Sequence, residues 1–322
     1  MQSPAELTAA AKKQPLEKIF VNPRGRDLFA KDGLSFAAAT PQDTAALASP
    51  QLWRKLDRTQ RFGAVLLAGT AAELTPLLAH LAQSPDFRLE HVDNWGALFV
   101  RGLPAFYRPP DALNAARTID NKADRGAYLA QMALMLDAVG QPSAAREYLD
   151  AALGIAPKEA EVQVCAAALE LSRKHYADAI KYAQEAQKLD PKNLPALEVE
   201  ARAFAAAGAA DEAWRVASEI KSRAPEDMSL LFLHARLANS AHAYTDEQDS
   251  LERLVSLAEQ QHLSATDYHV YLGQCFARQG LARPALQQLE LALKDPAMSK
   301  QQREDLTTAV EMVRSKAGDL AQ

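Results

Sequence analysis

AYLAQMALMLDAVGQPSAAREYLDAALGIAP, residues 127–157, and ALEVEARAFAAAGAADEAWRVASEIKSRAP, residues 196–225, decide how most of this chain folds. Each holds two stretches of helical periodicity, a short glycine-containing turn between them, and a closing proline. The prolines recur at a spacing of 34, as Pro157, Pro191 and Pro225. Alanines keep that spacing twice over, as Ala145, Ala179 and Ala213 and as Ala133, Ala167, Ala201 and Ala235. Three columns in one register are an internal repeat. A small side chain at one point on each of two helices lets their axes close to ~8–10 Å. Larger residues (Met132, Leu136, Leu149, Phe204) then fill the seam. Proline cannot sit in a helix interior, so it separates one hairpin from the next. Gly140 and Gly208 fall where the turn inside a hairpin needs positive φ.

Working outward, YADAIKYAQEAQKLDP (176–191) completes a second unit, and YLGQCFARQGLARPALQQLELALKDP (271–296) forms a later one. The later unit carries Leu272-Gly273, Phe276, Gly280, Ala285, Leu289 and Ala292. On these residues the chain resembles the tetratricopeptide repeat family over about residues 125–316. The unit between them is irregular. MSLLFLHARLANSA (228–241) keeps register through Ala235, but SLERLVSLAEQQ (250–261) does so only if about four residues are extra. The expectation is an extended inter-helix loop at AHAYTDEQD, residues 241–249. SKQQREDLTTAVEMVRSKA (299–317) puts Leu306, Val310 and Val313 on one face and reads as a capping helix.

Residues 16–102 have a different texture. LEKIFVN (16–22) and FGAVLLAG (62–69) read as strands, and PQLWRKLDRTQR (50–61) as a helix. TAAELTPLLAHLAQS (70–84) reads as a second helix, with Thr70 and Glu73 at capping-box spacing. FRLEHVD (87–93) and WGALFVRG (95–102) read as a hairpin about Asp93-Asn94. The expected fold is an α+β two-domain chain, with a small N-terminal α/β sandwich on a mixed sheet followed by an all-α solenoid. The expected divisions are a flexible segment at 1–15, the α/β domain at 16–103, and a Pro-rich linker with a leading helix at 104–124. The array follows at 125–297 and the cap and tail at 298–322. IFVNPRGRDLF (19–29), LWRKLDRTQRFGAVLL (52–67) and LAHLAQSPDFRLEHVDNWGALFVR (78–101) are also similar to the soluble tail of bacterial polytopic glycosyltransferase-like membrane proteins of the dolichyl-phosphate-mannose type. That resemblance implies the soluble, extracytoplasmic portion of a membrane glycosyltransferase system, or an accessory to one. It carries over no transferase activity, because the family's acidic catalytic loop lies in its membrane portion. Without that resemblance, the expected compartment is the cytoplasm.

Composition narrows the function. The formal charge is −5, and 24% of residues are charged. Residues 1–120 hold 14 Lys+Arg against 12 Asp+Glu, and residues 121–322 hold 22 against 29. Neither part has the basic stripe that neutralises phosphates, so nucleic acid is not an expected partner. No run reaches the ~18 apolar residues of a membrane helix. Cys165 and Cys275 are far apart and lack zinc spacing. No nucleophile elbow, Walker loop or H-E-x-x-H motif occurs. Neither a catalytic set, a metal nor a cofactor is expected. Asn22-Pro23-Arg24-Gly25-Arg26 ends the first strand, where ligands of open α/β sheets tend to sit, so Arg24 and Arg26 are candidates for contact with an anion.

The resemblance to tetratricopeptide repeats implies a non-catalytic scaffold whose first helices line a groove for a protein or peptide. Carried onto this chain, the groove positions include Glu198, Arg202, Phe232, Arg236, Asn239, Gln274 and Arg278. Arginine pairs well with carboxylates, so a peptide bearing an acidic group is the expected occupant. The competing expectation is that Arg202 only pairs with Glu198, four residues earlier on the same helix. The family's two-carboxylate clamp of Lys and Asn residues is not matched. A second copy of the chain is a further candidate partner.

Overall fold

A computed structural model describes residues 5–14, 19–30, 47, 49–69, 71–93, 95–102, 116–296 and 298–319. The expected Thr70–Glu73 capping box, the turn residue Asn94, and residues 103–112 of the linker lie outside them. The chain divides into two compact units, Met1–Arg173 with Glu185–Pro191, and Lys174–Gln184 with Lys192–Gln322.

In the first unit, β1 (Ile19–Val21), β2 (Ala64–Ala68), β3 (Phe87–Asp93) and β4 (Gly96–Arg101) form one sheet in the order β1-β2-β4-β3. β1 runs parallel to β2, and the other pairs are antiparallel, so the sheet is mixed as expected. AVLLA of β2 is buried at every residue, because helices cover both faces. On one face Val21, Leu66, Leu98 and Val100 pack with Leu7 and Ala11 of α1 (Ala5–Lys12) and Phe29 of α2 (Pro23–Ala30). Residues of opposite parity, Phe20, Val65, Leu67 and Phe99, face the other way. There Trp53 of α3 (Pro50–Gln60) meets Phe20 edge-on at 5.0 Å and stacks on Phe62 at 5.7 Å. α4 (Ala71–Ala82) adds Leu74, Leu77, Leu78 and Leu81, all at most 1% exposed.

Two expectations are corrected here. The N-terminal segment taken as flexible carries α1, because Leu7 and Ala11 recur at helical spacing and are fully buried. Arg24 and Arg26 follow the end of β1, but on a helix. Pro23 opens α2, where a missing N–H costs nothing. Two residues apart on a helix, their side chains diverge, and Arg26 Nε donates to the Val21 carbonyl at 2.8 Å. The polar group that does close this edge is Asn22. It is 3% exposed, donates to Ala68 O at 2.7 Å and accepts from Ala68 N at 2.8 Å.

The first hairpin, α5 (Lys122–Ala138) with α6 (Pro142–Ile155), belongs to this unit, and α5 packs on α4 and β3. α7 (Ala160–Ser172) packs on α5, and α8 (Tyr176–Leu189) is shared between the units. The second unit continues with α9 (Leu194–Ala206) and α10 (Ala210–Arg223), then α11 (Met228–Ser240) and α12 (Tyr244–Gln260). α13 (Thr266–Arg278) and α14 (Ala282–Ala292) make the last hairpin, and α15 (Lys300–Asp319) caps it. Leu306 and Val310 of α15 are buried against Leu289 and Ala292.

Both alanine columns are buried to 2% exposure or less. The turn inside each hairpin carries one left-handed residue, Gly140, Lys174, Gly208, His242 and Gly280 in order, with φ between 58° and 83°. After two of the prolines an Asx residue starts the next helix. Asn193 accepts from Ala196 N at 2.9 Å, and Asp227 accepts from Leu230 N at 3.0 Å.

The irregular fourth hairpin is resolved differently from the expected extended loop. His242 keeps the 34-residue spacing from Gly208, and the turn at 241–243 is as short as its counterparts. Tyr244 already begins α12. The extra residues lengthen this helix to 17 residues, where α10 has 14. Glu259 stands at the position that is proline in the three preceding units, so nothing stops the helix there.

Candidate functional site

In the second unit the first helices α9, α11 and α13 carry residues at the same two repeat positions. These are Glu198 and Arg202, then Phe232 and Arg236, then Val270 and Gln274. Each pair is four residues apart and so shares a helix face. Arg202 Nη2 lies 2.5 Å from Glu198 Oε1, and both side chains are part-exposed. Its charge is thus already answered on its own helix, as the competing expectation held. Arg236 is exposed and makes no ion pair among the described residues. Phe232, one turn before it, meets Tyr271 at 5.1 Å and Tyr268 at 6.1 Å between ring centroids. Asn239 is half-buried one turn beyond Arg236.

Arg278 is placed differently from the groove expectation. It pairs with Glu247 of α12 and lies 6.0 Å from the Tyr244 ring. Glu247 stands where the other units have alanine, and its side chain is only 5% exposed. A buried carboxylate needs a cation, and Arg278 supplies it at 33% exposure. Arg278 is a structural partner rather than a free contact. Gln274 is exposed and borders a cleft of about 400 Å³ between α13 and α15.

Tyr268 and Tyr271 were missed from sequence. They occupy positions three and six of their helix, outside the set carried over from the resemblance. The signal was present in YHVYLG, residues 268–273, an aromatic pair beside an arginine-bearing neighbour. Burial, helped by Asp267, raises the Tyr268 hydroxyl above its ordinary range, so it stays a neutral donor. Tyr271 is 40% exposed, which is unusual for a large ring on a packed helix.

The two thiols are not nucleophiles at neutral pH. Burial and Glu161 push Cys165 up to about 12, and burial and Glu247 push Cys275 up to about 11. Asp93 is spent on the β3–β4 turn. Its Oδ1 accepts from Trp95 N at 2.8 Å and Gly96 N at 3.1 Å. Among the described residues no group of three or more His, Cys, Asp or Glu could hold a metal. No helix among them is long and apolar enough to cross a membrane.

No family model matches the chain, and no curated protein matches it either. Solved structures do. YrrB, described as "a TPR protein with an unusual peptide-binding site", is 14% identical, with 62% of this chain and 98% of that one covered at a TM-score of 0.49. PilF of Pseudomonas aeruginosa is 16% identical, covering 62% and 86% at 0.48. TTC0263 of Thermus thermophilus, described as a thermophilic TPR protein, is 17% identical, covering 57% and 98% at 0.41. The resemblance of residues 16–102 to glycosyltransferase-like membrane proteins finds no support in these comparisons. The hairpin fold rests on the geometry above: one repeat of 34 residues, two buried alanine columns and a left-handed turn in every unit.

Proposed function

We propose that this chain is a non-catalytic protein-binding scaffold, taking an extended peptide with an acidic group across the first helices of the last three hairpins. The observation that carries this reading is Arg236, exposed and without an ion pair among the described residues, beside Phe232 and the part-exposed Tyr271. An unanswered guanidinium offers a fork of donors to a carboxylate. Aromatic faces next to it supply apolar area at low entropic cost. Arg202 contributes less, because a partner would have to displace Glu198.

The test is an array of acidic nonapeptides, with hits measured by fluorescence anisotropy. Arg236→Glu is expected to weaken binding at least tenfold, and Tyr271→Ala about five- to tenfold. Arg202→Gln is expected to change it less than threefold. A tenfold change is about 1.4 kcal/mol, within reach of one charge-assisted hydrogen bond. Affinity unmoved by Arg236→Glu would remove the groove assignment.

A further inference from the structure

The cleft beside Gln274 has a character of its own. It opens between α13, the segment after α14, and α15. Three carboxylates line it, Asp267, Asp295 and Asp305, and no lysine, arginine or histidine is among the described lining residues. Its floor is apolar, built from Val270, Met298 and Leu306. Asp295 is engaged by the hydroxyls of Thr266 and Ser264, which donate to its Oδ2. Among the described residues, Asp305 accepts one neutral bond, from Gln301 Nε2 at 2.9 Å. Asp267 and Asp305 make no ion pair among the described residues, and both are exposed. Beside the cleft, the guanidinium of Arg303 on α15 is held by the Leu293 and Asp295 carbonyls. A concave site whose lining carboxylates share one sign beside apolar surface still concentrates the opposite charge.

We infer that this cleft receives the cationic side chain of a lysine or arginine from the peptide proposed above, and so sets the direction in which that peptide lies. The chemistry matches in both halves of the side chain. An alkyl stem covers apolar floor while its charged head stays at a polar rim. Position matches too. Val270 and Gln274 on the cleft wall occupy the two positions that Phe232 and Arg236 occupy on α11, so the cleft opens on the face that carries the free arginine. Along that face the order is Arg236, then the ring pair Phe232–Tyr271, then the acidic cleft. A peptide with the reverse charge order meets like charge at both ends.

The inference rests on the groove reading for what delivers the side chain, but the cleft can be probed alone. The probe is Nα-acetyl-lysine N-methylamide, titrated into the full chain while the side-chain amides of Gln274 and Gln302 are followed by NMR. Its uncharged counterpart, Nα-acetyl-norleucine N-methylamide, has the same stem and no ammonium. Saturable shifts at both glutamines are expected with the lysine probe, and at least tenfold weaker binding with norleucine. Asp267→Asn with Asp305→Asn should remove the difference, whereas Arg236→Ala should leave it intact. Both aspartates are exposed, so the double variant is expected to keep its thermal melt. Equal affinity for the two probes, no saturable response, or a lysine preference that survives the double substitution each overturns the inference. Loss of acidic-peptide binding with Arg236→Glu tests the groove separately, so either reading can fail alone.

Discussion

At the scale of single residues, the array depends on where side chains are small and where buried polar groups find partners. Ala201 is fully buried and packs with Leu197, Ala213 and Ala217 in the seam between α9 and α10. Ala201→Leu forces three extra carbons between two backbones and should lower stability by about 1–3 kcal/mol in urea titration. An unchanged midpoint would mean that the alanine column does not mark the crossing. His234 is a second kind of case. It is 1% exposed and bridges three helices, with Nε2 3.2 Å from Ser218 Oγ and Nδ1 2.8 Å from Ser250 Oγ. Ser218 donates to Trp214 O, which leaves it to accept from Nε2–H. Burial, with Lys221 nearby, lowers the ring's pKa to about 4, against the smaller opposing pull of Asp246 and Asp249, so at neutral pH the ring is neutral and Nδ1 accepts from Ser250. A histidine depressed on folding favours the folded state above its unfolded pKa near 6.5 and loses that contribution as pH falls toward about 4. Stability should drop by up to about 3 kcal/mol across that window. In His234→Gln this portion of the pH dependence should vanish, as read from urea midpoints between pH 7 and pH 4.

At the scale of elements, helix ends explain both what was readable and what was not. The strands at 64–68, 87–93 and 96–101 and the helix at 50–60 follow from apolar runs and turn residues close to where the sequence put them. α2 was missed because Asn22-Pro23 reads as the end of the first strand, while proline is equally at home in the first position of a helix. The fourth hairpin was misplaced because a shift of register says only that residues are extra, not where. Turn and helix could both absorb them, and the intact spacing to His242 assigns them to α12. Glu259→Pro restores the repeat's proline inside a helix that now runs through it. It removes one backbone hydrogen bond and crowds the preceding turn, at a cost of about 1–3 kcal/mol so near the helix end. Circular dichroism and urea titration should show a shorter, less stable helix. A variant as stable as the parent would place the extra residues outside α12.

At the scale of the whole molecule, the sequence by itself determined that helical hairpins repeat every 34 residues and follow a small mixed α/β module. These features are encoded locally. A helix pair approaches closely only over small residues, a helix stops at proline, and a strand buried on both faces must be apolar throughout. Only the tertiary structure decided which charges remain for a partner. Arg202, Arg236 and Arg278 look alike in sequence, yet Glu198 occupies the first, Glu247 from the preceding hairpin occupies the third, and Arg236 is left exposed. The acidic cleft likewise joins residues 267, 295 and 305. Such pairings depend on which side chains the fold brings within a few ångströms. That distance is set by packing across hairpins and not by spacing along the chain.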